Sequence, residues 1–208
     1  SSSAASDVYK RQALINGVKD ATALVSLLST NVDKDVIDSG KNLKIIANYG
    51  AGFNNVDIDY AREKGIDVTN TPKASTNATA DLTIGLILSV ARRIVEGDEL
   101  SRTKGFDGWA PLFFRGREVS EKTIGIIGLG EIGGAVAKRA RAFDMDVLYT
   151  GPHRKEEKER DIGAKYVDLD TLLENADFIT INAAYNPDLH HLIDTEPVSY
   201  THLRAHET

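Results

Sequence analysis

Gly128-Leu129-Gly130-Glu131-Ile132-Gly133 follows directly on Thr123–Ile127 (TIGII), a β-branched run that reads as a buried strand. Downstream, Ile132, Ala135, Val136, Ala140 and Phe143 fall on one helical face, and Asp146–Thr150 (DVLYT) reads as the next strand. Strand, G-x-G-x-x-G, helix and strand in that order predict a dinucleotide-binding βαβ unit, which the glycine spacing alone would not. Gly128 permits the tight turn out of the strand, Gly130 lets a pyrophosphate approach the backbone, and Gly133 lets the helix pack closely on the sheet. The phosphates are then expected on the first N–H groups of the helix, at its positive dipole end. The expected cofactor contacts are therefore Gly128, Leu129, Gly130, Glu131, Ile132 and Gly133, with Gly151, Pro152, His153 and Arg154 after the second strand.

That second strand ends without the carboxylate that would hold the ribose hydroxyls of NAD. The stretch is Tyr149-Thr150-Gly151-Pro152-His153-Arg154-Lys155, so nothing in it repels a 2′-phosphate, and Arg154 or Lys155 can attract one. An NAD(P)H cofactor is expected, with the balance tilted slightly to NADP over NAD and left open.

The rest of the chain alternates strand and helix patterns, which predicts a parallel α/β fold. Ala21–Leu28 reads as a buried strand, Asp33–Ser39 as a short helix, and Leu43–Asn48 as a strand running into Gly50-Ala51-Gly52. A helix over Ile58–Lys64 stops at Gly65, and Ile66–Asn70 forms a short strand. Ala78–Thr103 reads as one long helix, apolar in its first half and charged in its second, a pattern suited to bridging two domains. Lys104–Val119, rich in glycine and aromatics, reads as an ordered linker.

The chain carries 25 Lys and Arg against 31 Asp and Glu, a net charge of −6, and has no basic run that would favour nucleic acid or an anionic membrane. With 41% hydrophobic and 27% charged residues it is expected to fold. Zero cysteines exclude disulfides, thiolate metal sites and cysteine nucleophiles, and suit a reducing cytoplasm. No metal site and no membrane span are expected.

The two ends are expected to be foreign to the fold. Asp7–Gln12 (DVYKRQ) and Val198–Leu203 (VSYTHL) can be encoded by one DNA element read in opposite orientations, an element like the adapter ends of sequencing libraries. The expected organisation is an adapter-like head over 1–12, a substrate domain over 13–103, a dinucleotide-binding domain over 104–197, and an adapter-like tail over 198–208. Both domains are expected to be incomplete.

A set of motifs in fixed order resembles the D-isomer-specific 2-hydroxyacid dehydrogenases, the family of glyoxylate/hydroxypyruvate reductase and D-lactate dehydrogenase. It comprises Gly50-Ala51-Gly52 with Val56-Asp57, Gly65-Ile66-Asp67-Val68, Asn70-Thr71-Pro72, and Ala78-Thr79-Ala80-Asp81 through Ala91-Arg92-Arg93. Trp109, Gly125–Gly133, Leu172–Asp177 and His191-Leu192-Ile193 complete it. Leu148-Tyr149-Thr150-Gly151 is most similar to the glyoxylate and hydroxypyruvate reductases. The sequence departs from the family at Asn54, at Glu121 and at Ala183-Ala184-Tyr185-Asn186.

The resemblance implies two Rossmann-like parallel-sheet domains, a flavodoxin-like substrate domain and a dinucleotide-binding domain, with the active site in the cleft between them. It implies a homodimer when full length, and hydride transfer between NAD(P)H and a small 2-oxo acid or D-2-hydroxy acid. The substrate carboxylate would rest on backbone N–H groups at Ala51 and Gly52. A glycine-rich strand end suits that role independently, because it presents donors to an anion. The catalytic Arg, Glu and His implied by the family fall downstream of His191–Asp194, so none is assigned and the 208-residue chain is expected to be inactive. His153, His190 and His191 read as surface or cofactor-side residues. The alternative is a dinucleotide-sensing, corepressor-like binding protein of the same fold.

Overall fold

The computed structural model describes residues 2–103, 105, 108 and 110–183, and the chain divides into two compact units at Ser75/Thr76. Trp109, the 184–186 part of the last divergent loop, His190, His191 and the tail over 198–208 lie outside the described residues.

The first unit runs α1 (Ser2–Val18), β1 (Ala23–Leu27), α2 (Lys34–Ser39), β2 (Ile45–Tyr49), α3 (Ile58–Glu63) and β3 (Asp67–Thr69). Its three strands are parallel in the order β1-β2-β3, with Ala23 opposite Ile45 and Ile45 opposite Asp67. Asp33 and Asp57 cap α2 and α3, their carboxylates accepting from the N–H groups of Val36 (3.3 Å) and Tyr60 (3.1 Å). Val18, Val36, Ile37 and Ala61 from the helices gather with Leu24 and Ile46 into one core.

That core lies on a single face of the sheet. The buried strand expected at Ala21–Leu28 instead alternates: Leu24 and Ser26 point inward, while Val25 is 73% exposed. Period-two alternation is hidden in the sequence because both faces of β1 carry apolar residues.

Helix α1 extends through the head expected to be foreign. Its last turns supply Leu14, Ile15 and Val18 to the core, and Arg11 pairs with Asp33 at 2.8 Å and Asp35 at 3.0 Å.

The second unit runs α4 (Thr76–Ala91), α5 (Ile94–Thr103), β4 (Thr123–Ile127), α6 (Glu131–Arg141), β5 (Asp146–Thr150), α7 (Glu156–Ile162), β6 (Ala164–Tyr166), α8 (Leu169–Asn175) and β7 (Phe178–Ile181). Its four strands are all parallel in the order β6-β5-β4-β7, the arrangement of a Rossmann half. Ile124, Ile126, Val147 and Tyr149 form the floor of its main core, and Ala80 and Ile84 of α4 join Val136 and Ala140 of α6 above them.

The single helix expected over Ala78–Thr103 is two helices. Arg93 adopts φ 55°, a left-handed conformation that ends α4, and the returning loop donates the Arg117 N–H to the Ala91 carbonyl at 2.7 Å. Because α4 packs on α6, the division falls at Ser75/Thr76, whereas the sequence suggests residues 103/104. Asp81, at the start of that contact, pairs with Arg139 at 2.6 Å.

Candidate functional site

The register of β4 sets Ile127 beside Thr150 of β5 on one side and Ile181 of β7 on the other. The chain segments that follow these three strands therefore leave the sheet at the same end. The strand order also reverses here, between β4 and β7, and open α/β sheets bind ligands at the carboxyl ends of strands at such a point.

The three motif glycines differ in their surroundings. Gly128 has φ 95° and donates its N–H to the Thr150 carbonyl at 2.9 Å, while a Cβ there would meet the Ala183 backbone nitrogen at 2.7 Å. A Cβ on Gly133 would collide with the Gly128 carbonyl oxygen, so only glycine lets α6 sit this close to the turn. Gly130 differs: a Cβ there would meet nothing within 4 Å. Its bare backbone faces open space at the N-terminus of an 11-residue helix, with no side chain capping that end. The N–H groups of the first turn lack intrahelical acceptors and are available to an anion. A pyrophosphate fits these residues.

Leu129 is buried beneath the loop. Gly133 is likewise buried within α6, whereas Ile132 only packs against the core, part-exposed. Glu131 brings a negative charge to the first turn, and Lys158 of α7 offsets it. The Lys158 Nζ donates to the Gly130 carbonyl at 2.8 Å and lies 3.4 Å from the Glu131 carboxylate.

Gly151 lies within 4.0 Å of the Gly128 Cα, measured from the Cβ it lacks, and its carbonyl accepts from the Tyr166 hydroxyl at 3.1 Å. Pro152, His153 and Arg154 follow it, all exposed. Arg154, however, is not a free cation. Its Nε and Nη2 donate to the two carboxylate oxygens of Glu159, each at 2.9 Å. The Tyr149 hydroxyl donates to the same carboxylate at 2.7 Å and accepts from the Lys155 N–H at 2.7 Å.

These contacts shift both acids. The Arg154 and then the Tyr149 hydrogen bonds hold the Glu159 carboxyl at about 2, and the Arg154 guanidinium is raised in return, first by its hydrogen bond to Glu159. Burial, then the bond to Glu159, pushes the Tyr149 hydroxyl up to about 12, so it stays protonated. Glu159, only 14% exposed, is the residue that sequence reasoning misses. It stands ten positions past Tyr149 on a helix with three other acids, and only the turn after β5 brings it back.

A second candidate site sits in the first unit, at the end of β2. The Gly50 carbonyl accepts from the Thr71 N–H at 2.9 Å, the Ala51 carbonyl from the Asn70 side-chain amide at 2.8 Å, and the Gly52 carbonyl from Asn48 Nδ2 at 2.8 Å. Three successive carbonyls are thus held by internal donors. Among the described residues the N–H groups of Ala51 and Gly52 have no acceptor. Asn48 is almost fully buried. Its Oδ1 accepts from the Ser26 hydroxyl at 2.8 Å and from Asn55 Nδ2 at 3.0 Å. Polar Ser26 and Asn48 inside apolar strands are the available signal for this support.

Among the described residues no group of three or more His, Cys, Asp or Glu could hold a metal ion, and no helix is long and apolar enough to cross a membrane.

Fold and loop together define a dinucleotide-binding α/β protein. Residues 84–202 match the family described as D-isomer specific 2-hydroxyacid dehydrogenase, NAD binding domain, and the chain belongs to that family. It is 88% identical over 186 residues to a Staphylococcus aureus (strain MRSA252) protein that carries a 2-hydroxyacid dehydrogenase name, covering 89% of this chain but 59% of that protein. Solved structures are similar as well. The TT0316 protein of Thermus thermophilus shares 38% identity at a TM-score of 0.85, over 91% of this chain and 60% of its own. D-lactate dehydrogenase of Aquifex aeolicus, complexed with NAD and lactic acid, shares 30% at 0.79, over 89% and 55%. A glyoxylate reductase from Paecilomyes thermophila shares 33% at 0.78, over 91% and 60%.

Proposed function

We propose that this chain is the cofactor-holding and anion-holding part of a nicotinamide-dependent 2-hydroxyacid dehydrogenase acting on a small 2-oxo acid or D-2-hydroxy acid. The observation that carries the reading is the open backbone at Gly130, set between a glycine turn and an uncapped helix N-terminus. Gly130, Glu131, Ile132 and Gly133 would hold the pyrophosphate through backbone N–H groups, while Gly128 makes the turn that brings it in and Leu129 anchors the loop in the core. Gly151, Pro152, His153 and Arg154 would border the adenosine ribose. When bound, the nicotinamide supplies or accepts the hydride.

The unaccepted N–H groups of Ala51 and Gly52 support a carboxylate cradle, since two adjacent backbone donors match the two oxygens of such a group. Their fixed orientation costs nothing at the moment of binding, because Asn48, Asn70 and the Thr71 N–H already hold the carbonyls. Glyoxylate or hydroxypyruvate is the proposed substrate, with pyruvate and D-lactate the pair that the Aquifex aeolicus neighbour suggests.

The tilt toward NADP rests on an Arg154 or Lys155 free to meet a 2′-phosphate. With Arg154 paired to Glu159, we propose that NAD is accepted at least as readily. The domain assignment carried forward is a substrate domain followed by a cofactor domain, in a cytoplasmic protein. Leu82, Leu86 and Val90 form an exposed apolar stripe on α4 at four-residue spacing, which suits pairing with a second copy in a homodimer.

The test uses the full-length protein that carries this sequence. NADH oxidation is followed with glyoxylate, hydroxypyruvate and pyruvate, and Gly52→Pro removes one cradle donor. Turnover of at least one 2-oxo acid, with its KM raised at least about tenfold in the variant, supports the reading. Absence of turnover with every 2-oxo acid contradicts it.

A further inference from the structure

Glu159 is an acid without a role in the proposed reaction, yet it is the best-connected side chain near the end of β5. Both of its oxygens are engaged by Arg154, one also by Tyr149, and the Tyr149 hydroxyl ties the network to the backbone at Lys155. Tyr149 itself is 1% exposed and packs edge-on against Tyr166 with ring centroids 5.3 Å apart, so the carboxylate is pinned by a rigid support.

In dinucleotide-binding folds the ribose 2′-position is read just past the second strand, where a carboxylate selects the hydroxyl of NAD and an arginine accommodates the phosphate of NADP. Here the strand end carries the arginine and lacks the carboxylate. The carboxylate arrives from α7 instead and is engaged by that arginine. We propose that Glu159 determines cofactor preference: by occupying Arg154 in a bidentate pair it cancels the one guanidinium that would otherwise receive a 2′-phosphate, and so admits NAD. This rests on the dinucleotide reading above.

A bidentate carboxylate uses the planar fork that makes arginine a good phosphate ligand. A 2′-phosphate gains no net positive charge from the pair, which leaves exposed Lys155 as the neighbouring cation. It must also displace an acid held at two further points. Breaking the pair is resisted because it gives up two charge-assisted hydrogen bonds of 2.9 Å each.

The test measures binding of two nucleotides to the 208-residue chain by calorimetry, which needs no turnover. The probes are 5′-ADP, which has the pyrophosphate and an unmodified ribose, and 2′,5′-ADP, which has the 2′-phosphate. Glu159→Gln keeps the side-chain shape and a hydrogen bond with Tyr149 while removing the charge. It is expected to bind 2′,5′-ADP about tenfold more tightly than the parent does, as one charge-assisted contact becomes available, with the affinity for 5′-ADP unchanged. The double variant Glu159→Gln, Arg154→Met should lose that gain, which separates release of Arg154 from a general loss of negative charge. Should the Gln variant fold poorly, Glu159→Ala is expected to show the same selective gain. An unchanged affinity for 2′,5′-ADP, an equal gain for both nucleotides, or a gain that survives in the double variant overturns the inference while leaving the dinucleotide reading in place. Failure of both nucleotides to bind the parent and the variants overturns the two together.

Discussion

Asn48 Nδ2 donates to the Gly52 carbonyl oxygen over 2.8 Å, so a buried amide at the end of β2 fixes which way the glycine loop presents its N–H groups. Replacing it by aspartate, Asn48→Asp, turns that donor into an acceptor facing a carbonyl. The expected cost is about 2–4 kcal/mol, from a lost bond plus a buried carboxylate whose second oxygen faces the Gly52 carbonyl, although Ser26 and Asn55 still donate to the first. For a chain of this length, that lowers the midpoint of thermal unfolding by roughly 4–16 °C. Scanning calorimetry checks it, and a change of less than about 1 °C would show that the loop is held by other contacts.

The glycines of the dinucleotide loop should separate stability from binding. Gly133→Ala forces a Cβ into the Gly128 carbonyl and is expected to destabilise the second unit by about 1–3 kcal/mol. Gly130→Ala meets open space and should leave unfolding within about 1 kcal/mol of the parent. Its methyl would occupy the path of an incoming phosphate, so 5′-ADP affinity should fall at least about tenfold. Urea unfolding and nucleotide titration on the same two variants read both quantities.

Helix α4 is expected to unfold with the second unit. Ile84 is 8% exposed and sits in the core formed with α6, so Ile84→Ala should cost that unit about 2–4 kcal/mol. Asp81→Ala, which breaks the exposed pair with Arg139, should cost less than about 1 kcal/mol. Hydrogen exchange resolved along the chain distinguishes the units. Loss of protection in β1–β3 rather than β4–β7 on Ile84→Ala would contradict this placement of α4.

How much of this is legible in the sequence follows from where the signals lie. β4, the glycine loop, α6 and β5 are readable because a β-branched run, three spaced glycines and a one-sided apolar helix all lie within 28 residues of sequence. The break between α4 and α5 is not, since neither glycine nor proline marks it and Arg93 takes the left-handed conformation itself. β6 is three residues long, too short to show a period, and exists through its pairing with β5. At the candidate site the backbone roles are visible, because glycine reports backbone geometry directly. The Glu159–Arg154 pair is hidden, because it depends on a turn that no local pattern announces.

The pair also makes a prediction about pH. Glu159 is held at about 2 against an ordinary 4.5, first by the Arg154 hydrogen bond. A folded value below the unfolded one means that its stabilisation is complete above about 4.5 and is lost as pH falls toward 2. Carbon-detected NMR of the Glu159 carboxyl should show a titration midpoint near 2. A midpoint near 4.5 would mean that the carboxylate is not engaged by Arg154 in solution.

Whether the second unit holds a dinucleotide on the Gly128–Gly133 turn can be read from amide NMR of the 208-residue chain titrated with NADH. Saturable shifts are expected at Gly128–Gly134 and Gly151–Lys155, with the amides of β1–β3 unmoved by the adenosine and pyrophosphate portion when 5′-ADP is used instead. Amides at the glycine turn that stay in place at saturating NADH would contradict binding there.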